Sequence, residues 1–447
     1  MGRRRKSGRL NVFLNCRFVG ELNREASGAI DFRYAPEWLA WEHTLPVSLS
    51  LPLREDRYIG QPVLAVFDNL LPDNSGIRRT IAERIGAVGT DAFSMLFALG
   101  RDCAGALQFL PEDQDPGAAG VIAAQPIRDA DIAELISNLA TNPLGLEPDD
   151  DFRISIAGAQ EKTALLYYRG RWQKPLGTTP TTHIFKPQIG ELPNGIDLSN
   201  SVENEFLCLE LVRAFGLPTA NTEMATFGKK RVLIVERFDR LMTGDKRLLR
   251  VPQEDICQAL SIPWTVKYEN DGGPGVQQIL KLLAGSDDPR ADRSNFFKAI
   301  VVFWLLAATD GHGKNFSVFL EPGGGFRMTP LYDVVSAQPS FDTGQIQRKK
   351  LKLAMAVGDN RHYAVEGITT RHFVQSAQRA GLGPDIALAV IDEIIDQGPG
   401  VVKRVRQNLP ERFPKSIAES ITKGVLARIE QLEQGRDGLT KAVNRKR

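Results

Sequence analysis

The sequence predicts an α+β protein whose N-terminal part mixes strands and helices, whose middle is rich in strands, and whose C-terminal part is mainly helical. Residues 9–24 alternate polar and apolar side chains around Asn15, which is the pattern of a β-hairpin. Residues 163–168 (TALLYY) and 182–186 (THIFK) are short apolar runs bounded by turn residues, which predicts strands. Beyond about Glu254 the apolar residues recur mainly at helical spacing, so helices are expected to dominate there.

The composition is that of an ordinary globular protein with two or three domains or one large two-lobed body. The 447 residues include 42 % hydrophobic and 25 % charged residues, and the formal net charge is only +2. A chain of this length buries a large core without disulfides or metals. The four cysteines are scattered without a CxxC pair, which argues against a disulfide framework and against a zinc site.

The apolar segments favour a cytoplasmic protein. The longest apolar run, residues 299–308 (AIVVFWLLAA), is too short to cross a membrane, which takes about 20 residues. We therefore expect a buried core helix at this position. No long apolar segment follows the basic start of the chain, so neither a secretory signal nor a membrane partner is predicted.

Turn-forming residues divide the chain into four predicted segments. Residues 111–127 are rich in Pro, Gly and Asp, and residues 142–151 form a second loose stretch that ends in three aspartates. A helix is predicted between these stretches, and a strand at residues 152–156 after them. The segments are an N-terminal subdomain, a linker with one helix, a strand-rich part and a helical part, at residues 1–110, 111–150, 151–240 and 241–447.

Basic residues are concentrated at both ends of the chain. They are Arg3, Arg4, Arg5, Lys6 and Arg9 at the start, and Arg445, Lys446 and Arg447 at the finish. Two interpretations are open: solvated chain ends, or an auxiliary contact with nucleic acid or with an acidic partner. The salt dependence of DNA binding would separate them.

The first candidate for chemistry follows the apolar run, in residues 308–316 (ATDGHGKNF). Asp310 and Asn315 are five residues apart, the separation at which the protein-kinase catalytic loop carries its base and a magnesium-binding amide. The carboxylate orients the attacking hydroxyl, and the amide oxygen holds the metal on the phosphates. His312 lies between them, but no second histidine stands at metal-ligand spacing, so a loop role is expected. Alone, the motif is also compatible with a solvent-exposed turn.

Asp333, eighteen residues after Asn315, is the second candidate. A short apolar run at 317–320 and the turn residues 322–325 (PGGG) lie between them, which predicts a hairpin that returns Asp333 close to Asn315. The position corresponds to the aspartate of the kinase DFG motif, the main magnesium ligand, although the triplet here is YDV. A helix N-cap or turn role for Asp333 stays open.

Lys186 ends the predicted strand THIFK. A lysine on a strand can pair with the α- and β-phosphates of a nucleotide, and an acidic residue of a helix braces it in kinases. Glu203 and Glu205, in the helix predicted to follow, are the candidates for that brace. The alternative is a solvated lysine at the end of a strand.

Residues 155–163 (SIAGAQEKT) connect two predicted strands through small residues. Their backbone N–H groups can surround a phosphate, as those of a glycine-rich loop do. The segment is not a Walker A motif, because Glu161 and not glycine precedes Lys162, so a P-loop NTPase is not expected. Residues 235–240 (VERFDR), named here the hinge segment, end a predicted hairpin. They suit either a hinge whose backbone contacts adenine or a salt-bridged surface turn.

In this order the motifs resemble those of the HipA serine/threonine-kinase toxins of bacterial type II toxin–antitoxin systems. The matching blocks span nearly the whole chain: SIAGAQEKTAL at 155–165, HIFK at 183–186, VERFDR at 235–240, PQED at 252–255, TDGHGKNFSVF at 309–319 and TPLYDVVSA at 329–337. The resemblance implies a two-lobed protein-kinase-like fold. It would comprise a HipA-like N-terminal subdomain at 1–110, a nucleotide-binding part at 151–240 and an α-helical kinase lobe at 241–447.

The resemblance also implies roles for individual residues. Asp310 would be the catalytic base, Asn315 and Asp333 would hold Mg²⁺, and Ser155 would be the autophosphorylation site. The residues implied to bind ATP are Ala157, Gly158, Ala159, Gln160, Glu161, Lys162, Lys186, Glu236, Arg237, Phe238, His312, Gly313, Lys314, Asn315, Tyr332 and Asp333.

Members of this family phosphorylate aminoacyl-tRNA synthetases, notably glutamate–tRNA ligase, and so arrest growth. They are neutralised by a small DNA-binding antitoxin, HipB, with which they repress their own operon. The resemblance therefore implies a non-specific serine/threonine protein kinase with ATP and Mg²⁺ as cofactors. It also implies a synthetase substrate, a HipB-like antitoxin as partner, and operator DNA reached mainly through that antitoxin.

Two other functions are compatible with parts of the sequence. A catalytically idle binding subunit of a DNA-bound repressor complex would not need Lys186, Asp310, Asn315 and Asp333. A magnesium-dependent phosphohydrolase can be built on Asp310 and Asp333, but it would not need the strand lysine or the hinge segment. The four residues together favour the kinase.

Overall fold

The computed structural model describes residues 7–147 and 151–444, which divide into two compact units. The first unit comprises the described residues up to Pro187 together with Ala225–Val266 and Ser317–Phe326. The second unit comprises Gln188–Met224, Lys267–Phe316 and the described residues from Arg327 onward. The predicted boundary at residue 150 lies outside the described residues, as do the basic residues 3–6 and 445–447.

Within these residues the chain forms twenty strands and thirteen α-helices, joined by loops and short 3-10 turns. The strands are β1 Gly8–Leu14, β2 Arg17–Arg24, β3 Ile30–Tyr34, β4 Tyr58–Ile59, β5 Leu107–Pro111, β6 Ala124–Pro126, β7 Thr163–Tyr168, β8 Arg171–Pro175, β9 His183–Pro187, β10 Gly190–Glu191, β11 Asp197–Leu198, β12 Thr222–Phe227, β13 Lys230–Glu236, β14 Arg240–Met242, β15 Leu248–Arg250, β16 Gln253–Asp255, β17 Ser317–Leu320, β18 Phe326–Met328, β19 Lys352–Val357 and β20 His362–Ala364. The helices are α1 Pro36–Leu39, α2 Gln61–Phe67, α3 Ser75–Ile85, α4 Ala92–Leu99, α5 Asp129–Ser137, α6 Ser201–Ala214, α7 Ile256–Ala259, α8 Val276–Leu282, α9 Pro289–Leu306, α10 Gln338–Asp342, α11 Thr370–Arg379, α12 Pro384–Gln407 and α13 Lys415–Asn444.

The N-terminal part of the first unit is an antiparallel sheet with the strand order β4-β3-β2-β1-β5. The hairpin of β1 and β2 confirms the prediction for residues 9–24, and its register places Leu10 opposite Leu22. Asn15 and Cys16 form the turn with φ values of 46° and 65°, the positive values that a tight two-residue hairpin requires. Leu10 and Leu22 are fully buried, so the alternation seen in the sequence separates a core face from the other face.

The second sheet has the strand order β12-β13-β9-β7-β8-β6. Strand β9 lies near its centre and pairs with β13 on one side, where Lys186 stands opposite Leu233, and with β7 on the other. Ile132 and Ile136 of α5 pack in one buried cluster with Phe185 of β9. The sheet therefore holds Lys186 on a strand that is hydrogen-bonded along both edges.

The strand predicted at residues 152–156 is wrong, because in the described chain this segment joins no sheet. Ser155 N–H donates instead to the carbonyl of Asp102 at 2.9 Å. Alternating apolar residues predict an extended, half-buried backbone, but they do not specify whether its partners are a neighbouring strand or a loop. Strand β8 was not predicted from the sequence; it pairs with β7 after a turn at Arg169 and Gly170.

Helix α9 confirms the buried helix predicted at residues 299–308, of which it covers the part up to Leu306. Asp288 caps its start by accepting a hydrogen bond from Ala291 N–H at 3.1 Å, and Pro289 takes the first helical position. Its residues from Phe296 onward are buried, and α6, α8, α12 and α13 pack against it. A helix that is apolar all round belongs in a core. Across the described ranges, none of the helices combines the length and the apolar character that crossing a membrane requires.

Candidate active site

The candidate catalytic loop, residues 309–315, starts from the C-terminal end of α9. Ala307 ends the helix in the left-handed conformation, with φ 49°, and its carbonyl accepts a hydrogen bond from Ala337 N–H at 2.9 Å. Gly311 passes so close to Phe303 that an added Cβ would lie 2.6 Å from the ring, so only glycine fits. The loop is therefore fixed on a rigid, buried helix, as is typical of functional loops.

Asn315 connects this loop to the segment that carries Asp333. Its amide nitrogen donates to the backbone carbonyls of Asp310, at 2.8 Å, and of Asp333, at 3.4 Å. Tyr332 donates its hydroxyl to the carbonyl of Lys314 at 2.9 Å. The structure therefore brings Asp310, Asn315 and Asp333 together, as the hairpin expected from the sequence requires.

Asp333 and Asp310 have different surroundings. Asp333 has a φ of 58°, a left-handed conformation that costs a non-glycine residue on the order of 1–3 kcal/mol and is concentrated at functional sites. The next helix of the described chain, α10, starts only at Gln338, so the helix-cap alternative for Asp333 is wrong. The Asp310 side chain is 59 % exposed. One carboxylate is thus on a constrained backbone, and the other is open to solvent.

Asn315 and Asp333 fit a magnesium ion by their chemistry. Both offer hard oxygen donors, and the hydrogen bonds of the Asn315 amide nitrogen fix which end of the amide carries the oxygen. Residues 7–147 and 151–444 contain no group of three or more His, Cys, Asp or Glu side chains placed to hold a metal. Mg²⁺ does not need such a group, because it keeps several waters and binds through one or two carboxylates together with substrate phosphates.

Tyr268 is a residue of this site that the sequence did not reveal. Its hydroxyl donates to Asp310 Oδ1, and its ring packs edge-on against the His312 ring with 4.9 Å between the centroids. His312 is buried, and its Nε2 lies 3.9 Å from the same Asp310 oxygen. Tyr268 stands 42 residues before Asp310, so no local spacing links the two residues.

In the first unit, the small-residue loop at 157–162 closes on itself. The Lys162 ammonium donates to the carbonyl of Ala157 at 3.0 Å. Gly158, with φ 105°, lies so close to this ammonium that an added Cβ would be 2.5 Å from Nζ. The glycine therefore meets two requirements, a positive φ and close contact with the lysine.

The same loop lies at the end of the strand that carries Lys186. Gln160 donates to the carbonyl of Pro187, the last residue of β9, at 3.2 Å. Lys186 is only 7 % exposed, so the alternative of a solvated strand-end lysine is wrong. The brace by Glu203 or Glu205 stays a prediction.

Ser155, the residue implied as the autophosphorylation site, is fully buried. Its hydroxyl donates to the carbonyl of Leu70 at 2.8 Å, and its N–H donates to the carbonyl of Asp102 at 2.9 Å. A hydroxyl in this position is out of reach of a phosphate donor. Phosphorylation therefore requires the Ser155 segment to leave Leu70 first.

The hinge segment is anchored by a buried cluster of charges. Arg237, Arg240 and Arg250 surround Asp102 and Asp239, and these five side chains are only 2–4 % exposed. Burial raises the pKa of Asp102, but the guanidinium groups of Arg240, Arg237 and Arg250 outweigh burial and hold that pKa well below its usual range. The alternative of a surface salt-bridge turn is therefore wrong, because the charges are internal.

Only part of the hinge segment is left with exposed surface. The Arg237 side chain is committed to the buried cluster. The backbone N–H of Arg237 donates to the carbonyl of Thr182 at 2.9 Å. Glu236 is exposed, and Phe238 is half-buried with its ring edge-on to Phe319 at 5.8 Å. A contact of this segment with a ligand would thus involve its backbone and these two neighbours of Arg237.

A lysine-bearing strand beside a small-residue loop, and an Asp–Asn–Asp arrangement behind a buried helix, are the features of protein-kinase-like phosphotransferases. Comparisons with known proteins identify the family to which the chain belongs. Residues 10–110 match the HipA N-terminal domain, and residues 154–402 match the HipA-like C-terminal domain. The chain belongs to the HipA family, which confirms the resemblance seen in the sequence.

Individual relatives match over nearly the whole chain. A Sinorhizobium fredii protein named as a kinase, Y4mE, is 34 % identical over 408 residues, which cover 90 % of this chain and 93 % of that protein. The serine/threonine-protein kinase toxin HipA of Shewanella oneidensis is 28 % identical over 414 residues, 90 % of each chain. In the solved complex of Shewanella oneidensis HipA with HipB and operator DNA, a chain matches with a TM-score of 0.79 and 26 % identity, covering 96 % of this chain and 98 % of that one. These matches confirm the predicted α+β, kinase-like fold.

Proposed function

We propose that this protein is a serine/threonine protein kinase that transfers the γ-phosphate of ATP to a hydroxyl group of a target protein and so acts as a growth-arresting toxin. The arrangement of Asp310, Asn315 and Asp333 is the observation that carries the proposal. Membership of the HipA family supports it, because the Shewanella oneidensis relative is a serine/threonine-protein kinase toxin.

In this proposal Asp310 is the catalytic base. Its carboxylate accepts the proton of a serine or threonine hydroxyl while that oxygen forms a bond to the γ-phosphorus. The bond from the γ-phosphorus to the β–γ bridging oxygen breaks, and ADP leaves with the electron pair. The exposure of the Asp310 side chain makes it accessible to a protein substrate. Asn315 and Asp333 would hold Mg²⁺, which when bound would neutralise negative charge on the phosphates.

The first unit supplies contacts to the nucleotide in this proposal. The Lys186 ammonium pairs with phosphate oxygens, and the backbone N–H groups of the loop at 157–162 donate to them. The hinge segment offers backbone groups to the adenine. The buried cluster around Arg237 supports this assignment, because it fixes the backbone conformation of the segment.

Ser155 is proposed as a site of inhibitory autophosphorylation. A phosphate adds nearly two negative charges and three strong acceptors. Phosphorylated Ser155 therefore cannot occupy the buried position in which the unmodified hydroxyl donates to the Leu70 carbonyl. The loop at 157–162 then cannot resume its closed arrangement, and ATP binding should fall.

The test is calorimetric ATP binding by protein phosphorylated on Ser155, with the modification quantified by mass spectrometry. Unmodified protein should bind ATP more tightly, and a phosphatase should restore the affinity of the modified sample. Equal ATP affinity of the phosphorylated and unmodified forms would contradict the inhibitory role of Ser155.

For the substrate we propose an aminoacyl-tRNA synthetase, with glutamate–tRNA ligase first, and for the partner a HipB-like antitoxin that brings this protein to operator DNA. The solved relative was studied with HipB and its operator DNA, which supports the second proposal. Synthetases and operators are cytoplasmic in bacteria, so the same proposal places the protein in the cytoplasm.

Phosphoproteomics after parallel induction of the wild type and of Asp310→Asn tests the function. The wild type should arrest growth and add phosphate to a synthetase, and the variant should do neither. Phosphate on another protein would keep the kinase and change its substrate. Growth arrest by both proteins would separate toxicity from phosphoryl transfer, as expected of an idle binding subunit.

A further inference from the structure

Tyr268 lies on a turn that is tied directly to the catalytic loop. The carbonyl of Lys267 accepts a hydrogen bond from Gly313 N–H at 3.3 Å. The carbonyl of Tyr268 accepts hydrogen bonds from Asp271 N–H at 3.0 Å and from Gly273 N–H at 2.8 Å. The tyrosine turn, residues 267–275, is therefore closed on itself and joined to the loop through its backbone.

Glu269 holds the tyrosine turn from the other side. Its Oε2 accepts a hydrogen bond from Ala356 N–H of β19 at 2.5 Å, and its Oε1 lies 3.5 Å from a guanidinium nitrogen of Arg361. Gly275 comes so close to Glu269 that an added Cβ would be 2.5 Å from the carboxyl carbon. Anchors on both flanks leave Tyr268 little freedom to move away from the loop.

The contact between Tyr268 and Asp310 restricts the orientation of the Asp310 carboxylate. The Asp310 side chain projects into solvent, where a carboxylate loses orientation by rotation of its side-chain torsions. The Tyr268 hydroxyl and His312 Nε2 both lie beside Oδ1. The buried His312 ring also packs against the phenol, so the Tyr268 hydroxyl and His312 together restrict the position of Oδ1.

We propose that Tyr268 is a positioning residue, which orients the Asp310 carboxylate to receive the proton of the substrate hydroxyl. The inference rests on the proposed role of Asp310 as the base. Tyr268 acts through Asp310, so its loss should slow the transfer step and leave nucleotide binding unchanged. A base that is within reach but poorly oriented loses much of its effect.

The first test is Tyr268→Phe in the full-length protein, which keeps the ring against His312 and removes the hydroxyl. We expect kcat for phosphorylation of the protein substrate to fall about tenfold, with the KM for ATP unchanged. Tyr58→Phe is the matched control. Tyr58 lies on β4 of the N-terminal sheet, and its hydroxyl donates to the carbonyl of Pro52. The kcat of Tyr58→Phe should equal that of the wild type.

Two further variants distinguish positioning from a structural role. In an Asp310→Asn background, Tyr268→Phe should cause no additional loss, because no carboxylate is left to orient. Replacement of Tyr268 by 4-aminophenylalanine, which carries an N–H donor in place of the hydroxyl, should restore most of kcat. Should Tyr268→Phe lower the melting temperature, the comparison of the 4-amino variant with the wild type still decides the question.

The outcomes separate this inference from the proposed function. An unchanged or higher kcat in Tyr268→Phe, or an equal loss in both backgrounds, overturns the positioning role while the kinase assignment stands. A rise in the KM for ATP without a change in kcat also overturns it. A wild-type protein that transfers no phosphate to any protein contradicts the proposed function itself.

Discussion

Two carboxylates of this protein, Asp310 in the second unit and Asp102 in the first, show opposite uses of the same chemical group. The Asp310 side chain is exposed to solvent and accepts a hydrogen bond from Tyr268. Asp102 is almost completely buried, and its carboxylate is ion-paired with three arginines. A carboxylate that takes a proton from a substrate must be reachable, whereas one that anchors neighbouring segments is best shielded from water.

The contacts of Asp102 show what such an anchor connects. Its Oδ2 accepts hydrogen bonds from the N–H and the hydroxyl of Thr181, at 3.0 and 2.8 Å, and its Oδ1 accepts one from Arg240 at 2.8 Å. Its backbone carbonyl accepts the N–H of Ser155. Asp102 therefore joins the hinge segment to the segment that precedes the small-residue loop. Substitution of Asp102 should therefore lower the free energy of unfolding.

The largest expected effect is the loss of phosphoryl transfer in Asp310→Asn. General base catalysis contributes about 10²–10⁴-fold to rates, so kcat should fall by that factor. The free energy of unfolding should change by no more than about 0.5 kcal/mol, since the side chain is largely exposed. Kinase assays and urea unfolding measure the two effects. A large loss of stability with normal kcat would reverse the roles assigned to the two aspartates.

The next effect is the destabilisation by Asp102→Asn. Removal of one partner from a buried ion-pair cluster leaves uncompensated charge and costs about 3–5 kcal/mol, so the urea midpoint should fall markedly. The matched control is Asp245→Asn in the same unit, whose ion pair with Arg247 is exposed, and which should change stability little. If both variants unfold at the wild-type midpoint, the buried cluster does not anchor the hinge segment.

Glu254 extends the comparison of carboxyl groups. It is buried like Asp102, but no arginine among the described residues opposes the effect of burial on its pKa. It accepts a hydrogen bond from Leu49 N–H at 2.7 Å, and burial raises its pKa to about 8. The folded state therefore binds a proton that the unfolded state releases above its usual pKa of 4.5. Its contribution to stability is complete below pH 4.5 and is lost as the pH rises towards 8.

The corresponding prediction is the pH profile of Glu254→Gln, which keeps an acceptor for Leu49 and cannot ionise. Between pH 5 and pH 7 the wild type should lose roughly 2–3 kcal/mol of stability relative to the variant. Urea unfolding of both proteins at several pH values measures the difference. Parallel profiles would mean that Glu254 is ionised in the folded protein.

The catalytic loop could be predicted because its evidence is local in the sequence. Asp310 and Asn315 lie within one loop, and the hairpin that returns Asp333 is short, so spacing alone places the three together. Tyr268 and Asp102 could not be found in this way, because their partners are distant in the sequence. The spacing of residues along the chain does not indicate which distant residues come into contact in the fold. The burial of Ser155 was missed for the same reason, because Leu70 and Asp102 come from another part of the first unit.

The most direct test of the central claim is the fate of the γ-phosphate of labelled ATP, followed with the protein, magnesium and its protein substrate. The wild type should place the label on serine or threonine of protein, and Asp310→Asn should place at least about 100-fold less there. Label recovered only as free phosphate, or equal labelling by the two proteins, would contradict the role of Asp310 as the base of a protein kinase.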